Sequence, residues 1–285
     1  MTSREQAYLR KVEQLLERVG HLREAEVGRV LAILEQARAQ VAVAVTSTDW
    51  KAHYLPQKRE AVARAIEAFS QRYRVEQDRA LGNAWNAGYD MVDSPLNYAD
   101  LVHSALPELS RTALEIAQGY SADLIHGLAG DALKRINSEI TLGVMGDKSL
   151  AEVMQAIGHR LDSPGVFGTV ANRAEAITRT EFGRVNSLAR QARIHDVVRA
   201  NPGVWLKQWL HSGKPHPRPR HLVLDRKAVP LDEDFPGGIP YPHAPGLPAA
   251  EVVNCGCSHV LTRLDWDDLP QDWDPRPYQD RAIYD

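Results

Sequence analysis

Apolar residues in the first part of the chain recur with helical spacing. Tyr8, Val12, Leu15, Leu16 and Val19 fall at i, i+4, i+7, i+8 and i+11, one stripe of an amphipathic helix. Ser3 with Gln6 makes a capping-box pattern at its start, and Gly20 matches its end. A second helix carries Val27, Val30, Leu31, Leu34 and Val41. A third, from near Pro56, carries Val62, Ile66, Phe69 and Tyr73 and extends toward Tyr89. Arg, Glu and other charged residues fill the remaining faces, the pattern of solvated helices packed in a hairpin or bundle rather than of a DNA-binding surface.

Ser94-Pro95 interrupts this pattern and marks a first boundary. Helical spacing resumes with Leu109, Ala113, Ile116 and Tyr120, then Leu133, Ile136 and Ile140. Ser149 and Glu152 form a second capping box, opening a short helix through Val153, Ile157 and Leu161 that Ser163-Pro-Gly165 ends. A long helix from about Val170 to Val198 is stopped by Asn201-Pro-Gly203. Beyond it, Pro and Gly dominate, and the short runs Leu222-Val-Leu224, Val252-Val253 and Val260-Leu261 read as strands of an irregular sheet. The expected fold class is α+β: a mainly α-helical N-terminal two-thirds, then a small irregular α+β C-terminal domain with short strands. Four segments are expected: a helical region over 1–93, a central helical region over 94–169, the C-terminal domain over 170–264 and a tail over 265–285. The tail has seven Asp and two Arg around Trp266, Trp273, Tyr278 and Tyr284, too few aliphatic residues for a core of its own.

Composition narrows the classes. With 34 Lys+Arg against 37 Asp+Glu, no global charge draws the chain to nucleic acid or acidic membranes. No run approaches the ~18 consecutive apolar residues that span a bilayer, and the N-terminus lacks the apolar stretch of a secretory signal. Two cysteines in 285 residues suit a reducing compartment, not a disulfide framework.

Those two cysteines, Cys255 and Cys257, sit one residue apart behind a histidine cluster. Thiolate and neutral imidazole are the donors zinc prefers. Cys255, Cys257, His221 and His216 are the candidate ligands, with His243 and His259 further candidates, and Asp225 a candidate acceptor for an imidazole N–H. The plainer alternative is a pair of small buried thiols with histidines that cap loops. A metal-dependent nuclease using His216 and His221 is a further reading, though no general base is identifiable. Arg179, Glu181 and Arg184 lie on the long helix, and Arg179-Thr-Glu181 is polar within a stretch patterned for packing, so a buried or half-buried Arg–Glu pair is expected to tie the helix to the loop module.

The ordered set Ile177-Thr-Arg-Thr-Glu181, Asn186, Trp209, Arg218-Pro-Arg-His221, Leu224, Pro242 and Asn254-Cys-Gly-Cys257 resembles the phage Mu F-like domain. This is the minor head, or head morphogenesis, family of tailed bacteriophages and prophages. The resemblance spans roughly residues 125–264 and marks Arg179, Glu181, Asn186, Trp209, Arg218, Asp225 and Asn254 as structural-motif positions. It implies a non-enzymatic virion component incorporated into the capsid at the portal vertex. Its partners would be the portal protein and the major capsid or scaffold proteins, with at most weak DNA contact and no membrane. Assembly would take place in the bacterial host cytoplasm. Some members bind DNA or leave with it, and others carry C-terminal toxin domains. The short remainder after the domain leads one to expect an assembly role rather than an effector role. A DNA-binding protein packaged and ejected with the genome is the alternative. Three departures stand out: Lys214-Pro-His216 before the arginine–histidine motif, Gly256 where arginine is usual, and Asp225-Arg226 where an asparagine–glycine or aspartate–glycine turn is common.

Overall fold

The computed structural model describes residues 3–47, 50–101, 110–203, 205–212 and 217–263. Leu109, His216 and the acidic tail from Asp265 lie outside them. Helices α1 (Ser3–Thr46), α2 (Leu55–Tyr98), α3 (Thr112–Met145), α4 (Leu150–Ile157) and α5 (Val166–Ala200) come first. Then follow β1 (Trp205–Leu210), α6 (Pro219–Leu222), β2 (Ala228–Pro230), α7 (Ala249–Val252) and β3 (Ser258–Arg263). The fold is α+β: helical over its first two-thirds, with one antiparallel sheet near the end ordered β2-β1-β3. No helix among the described residues is long and apolar enough to cross a membrane.

Two expected breaks are absent. Gly20 lies inside α1 rather than at its end, because the apolar stripe continues in phase on both sides of it. A lone helical glycine costs about 1 kcal/mol relative to alanine, less than the burial of Val12, Leu15, Val27 and Val30 returns. Ser94-Pro95 is likewise interior to α2. An internal proline costs about 3 kcal/mol, and Met91, Val92 and Leu96, all fully buried around it, outweigh that at about 1.5–3 kcal/mol each. The capping box at α4 is as expected: Glu152 N donates to Ser149 Oγ, and Ser149 N donates to the Glu152 carboxylate at 2.8 Å. The helix ends earlier than Ser163-Pro-Gly165, at Gly158, whose φ of 106° suits only glycine.

The chain divides into two compact units, neither of them a continuous stretch. One comprises residues 23–80 and 115–179. Its core joins Val30, Leu34 and Val41 to Val62, Ile66, Phe69 and Tyr73, then to Ile125, Leu128, Ile136 and Ile140 and to Phe167 and Val170. Those stripes are largely the ones that the periodicity marks. Ile116 and Tyr120 are exceptions, left exposed at 69% and 48%.

The other unit comprises residues 1–22, 81–114 and 180–285. Tyr8, Val12 and Leu15 of α1, Met91, Val92 and Leu96 of α2, and Ile194 and Val197 of α5 pack with Trp205, Val260 and Leu261 of the sheet. Strand β1 pairs with β3 in the register Trp205↔Arg263 to Leu210↔Ser258, and with β2 through Gln208↔Ala228. Two of the three expected strands are helical turns instead. Pro219 in its first turn starts α6 just before Leu222-Val-Leu224, and Val252 ends α7. Val260-Leu261 is in β3, as expected.

Candidate metal centre

The side chains near the thiols are placed by two four-residue helices and a turn. Arg218 is the N-cap of α6. Its guanidinium donates to Ala250 O and Val253 O, carbonyls at the end of α7 that the helix itself leaves unsatisfied. One turn on, α6 presents His221, 3% exposed. Asn254 follows the C-cap of α7 with φ 56°, the left-handed conformation that asparagine tolerates better than most residues. That turn redirects the chain so that Cys255 and Cys257 enter the same pocket as His221.

There, Cys255 Sγ and Cys257 Sγ lie 3.5 and 3.6 Å from His221 Nδ1. The three ligand atoms are all within 4.8 Å of one another, and all three residues are buried. On the other edge of the ring, His221 Nε2 donates to Glu251 Oε2 at 2.8 Å, and Arg220 donates to Glu251 Oε1 at 2.7 Å. Trp209 of β1 meets the imidazole edge-on, 5.2 Å between ring centres, and stands against Phe235 as well. Trp209, Leu224, Phe235, Ile239 and the two cysteines form a small apolar cluster of their own.

The electrostatics are those of a shared charge. The Cys255 thiol is held far below its ordinary range by a hydrogen bond from Cys257, against the opposing effect of burial, and further by His221 and His243. Cys257 is pushed up by that same hydrogen bond, by burial and by the charge on Cys255. Burial disfavours imidazolium at His221, but the bond and charge of Cys255 and then Glu251 outweigh it, so its pKa is raised. The first ionisation of the pair is favoured and the second opposed. A divalent cation would remove that opposition.

The expected site residues separate into several groups. His221, Cys255 and Cys257 converge. His243 is buried but outside the converging set; its Nε2 donates to Cys255 O at 3.2 Å. His259 is fully buried, stacks on Tyr241 at 5.4 Å, and is kept neutral by burial and then by Arg190 and Lys207. Asp225 does not accept from an imidazole: its Oδ1 takes the His211 backbone N–H at 2.7 Å, and the acceptor for His221 is Glu251. The Arg–Glu pair expected on α5 is made by Arg184 with the buried Glu181, not by Arg179. Arg179 binds Glu24 at 2.8 Å and Glu175 at 2.7 Å, while Glu181 is buried with Arg184 at 3.4 Å. Helix α5 is instead tied to the loop through Thr180, whose Oγ1 accepts from Asn254 N at 3.1 Å.

A second tie comes from Arg190, which the sequence did not single out. It is fully buried and donates to Asn186 Oδ1 at 2.6 Å, to His259 O at 2.9 Å and to Ser258 Oγ. Asn186 in turn donates to Ala84 O at 3.0 Å. Burial lowers the Arg190 pKa to about 9, against a smaller opposing effect of Tyr8. An arginine four residues after the motif asparagine, on the same helix face, was the available signal.

No family model matches the chain, and no solved structure matches it. Two curated proteins are similar in sequence. The uncharacterized protein YqbB of Bacillus subtilis (strain 168) is 26% identical over 180 residues, 50% of this chain and 58% of that protein. The NAD(+)–arginine ADP-ribosyltransferase EFV of Enterococcus faecalis (strain ATCC 700802 / V583) is 28% identical over 130 residues, 45% of this chain and 25% of that protein. The chain thus spans less than two-thirds of either relative.

Proposed function

We propose that this chain is a minor head protein of a tailed bacteriophage or prophage, in which the C-terminal module is a structural cap stapled by zinc. The observation that carries the zinc reading is the convergence of one imidazole nitrogen and two thiol sulfurs in a buried site. Two thiolates and a neutral imidazole are a donor set suited to zinc. Zinc, when bound, would supply a cross-link between α6 and the turn after α7, in a module whose own apolar cluster is small. His221 would hold it through Nδ1, Cys255 and Cys257 through sulfur. Among the described residues these are three of the four ligands that a structural zinc takes.

The head-protein reading is supported by the way the motif positions are spent. Arg218 pins α7, Asn254 makes the turn, Thr180 holds that turn, Asn186 orients Arg190, and Trp209 backs His221. Each acts in holding the module together. The match to a quarter of an ADP-ribosyltransferase's length suits a family in which some members join a head domain to a toxin domain. The transferase activity is not carried to this chain on so short an overlap.

The test has two parts. Elemental analysis of the purified protein should find about one zinc per chain. Cys255→Ser with Cys257→Ser should lose the metal together with the protease resistance of residues 205–263. Absence of metal, with the double variant equally resistant, would overturn the zinc reading. Purified phage heads should contain the protein, bound to the portal; heads that lack it would overturn the virion assignment. A steep loss of DNA affinity with salt would favour the DNA-escort alternative instead.

A further inference from the structure

We infer that Glu251 is the positioning residue that makes His221 a metal ligand, with Arg220 holding Glu251 in place. This rests on the zinc reading above and assigns a role at that site to a residue 30 positions from the imidazole in sequence.

A neutral imidazole has one N–H donor and one lone pair, and either nitrogen can carry the proton. A carboxylate can only accept. Glu251 Oε2, 2.8 Å from Nε2, therefore keeps the proton on Nε2 and leaves the lone pair on Nδ1, the atom that faces both sulfurs at 3.5 and 3.6 Å. Without that acceptor, the proton could move to Nδ1 and point a donor at the metal position.

Glu251 itself is not a ligand, since its oxygens are not among the converging atoms. Its other oxygen accepts from Arg220 at 2.7 Å, and its side chain is 11% exposed, so the carboxylate is fixed from the far side. Arg220 Nη2 also lies against Gly237, whose φ of 89° is itself a conformation that favours glycine. The backbone beneath Glu251 is fixed separately, by Arg218 on Ala250 O and Val253 O. Carboxylates that orient a ligating histidine in this way are worth about 10–100-fold in metal affinity.

The experiment uses the full chain, with zinc affinity measured by competition against a chromophoric chelator and the visible spectrum recorded after loading with cobalt(II). Glu251→Ala should still bind one equivalent of zinc, but about 10–100-fold more weakly, with altered cobalt bands. Glu251→Gln keeps the size and an accepting oxygen, so it should lie between wild type and the alanine variant. If the alanine variant does not fold, the glutamine variant decides. A variant with the affinity and cobalt spectrum of wild type would overturn the role of Glu251 while leaving the zinc reading intact. A wild-type chain that binds no zinc would overturn both.

Discussion

At Arg226, φ is 59°, a conformation that glycine adopts freely and side chains resist. The family that the sequence resembles commonly has glycine at this position, and here an arginine side chain is strained in a conformation that glycine would adopt freely. The strain is about 1–2 kcal/mol, and the added freedom of glycine in the unfolded chain returns about 0.5–1 kcal/mol. Arg226→Gly is therefore expected to stabilise by up to about 1.5 kcal/mol, read from the urea midpoint; a clear loss of stability would contradict it. Asn254 adopts the same backbone conformation with a residue that suits it. The Asp225 expectation failed for a different reason. Sequence proximity favoured an aspartate four residues from His221, but the turn beyond α6 directs it to the His211 amide, and α7 brings Glu251 in from 30 residues away. No local pattern encodes that meeting.

Two glycines show how an element's neighbours decide what its sequence means. Gly20 of α1 has no atom within 4 Å of the place where a Cβ would sit, whereas a Cβ on Gly88 of α2 would fall 2.5 Å from Asn186 O and 2.8 Å from the Ala189 side chain. At Gly88 helices α2 and α5 touch through backbone. Gly20→Ala should gain about 1 kcal/mol from helix propensity, while Gly88→Ala should lose about 1–3 kcal/mol by forcing the helices apart. Thermal unfolding of the pair checks the contrast, and equal effects would mean that the close approach is wrongly assigned. The same logic explains the missing breaks. Glycine and Ser-Pro read as punctuation in a sequence, but punctuation is a preference of at most a few kcal/mol, and a stripe of buried residues on either side exceeds it.

At the scale of the whole molecule, each compact unit is built from separated stretches of the chain. Tyr8, Val12 and Leu15 belong to the same core as Ile194, Trp205 and Leu261, and Tyr8 Oη donates to Leu261 O at 2.5 Å. Residues 1–22 are thus part of what supports the C-terminal module, not a detachable arm. Three buried side chains at about 1.5–3 kcal/mol each rival the 5–15 kcal/mol by which a typical protein is stable. A chain beginning at residue 23 should lose protease protection across residues 180–263, followed by mass spectrometry; retained protection would show that the module stands without α1.

The sequence by itself determined most of the helices and buried stripes, the capping box at Ser149 and a donor set around Cys255 and Cys257 in which His221 was one of four candidate histidines, because periodicity, caps and donor chemistry act over a few residues or through residue type alone. Only the tertiary structure decided that His221 would be the histidine to meet the cysteines, that Glu251 rather than Asp225 would hold the imidazole, that Arg190 and Thr180 rather than an Arg–Glu pair would tie α5 to the sheet and loop, and that Gly20 and Pro95 would lie inside helices. Those outcomes depend on which distant surfaces are buried together, and burial is a property of the packed chain.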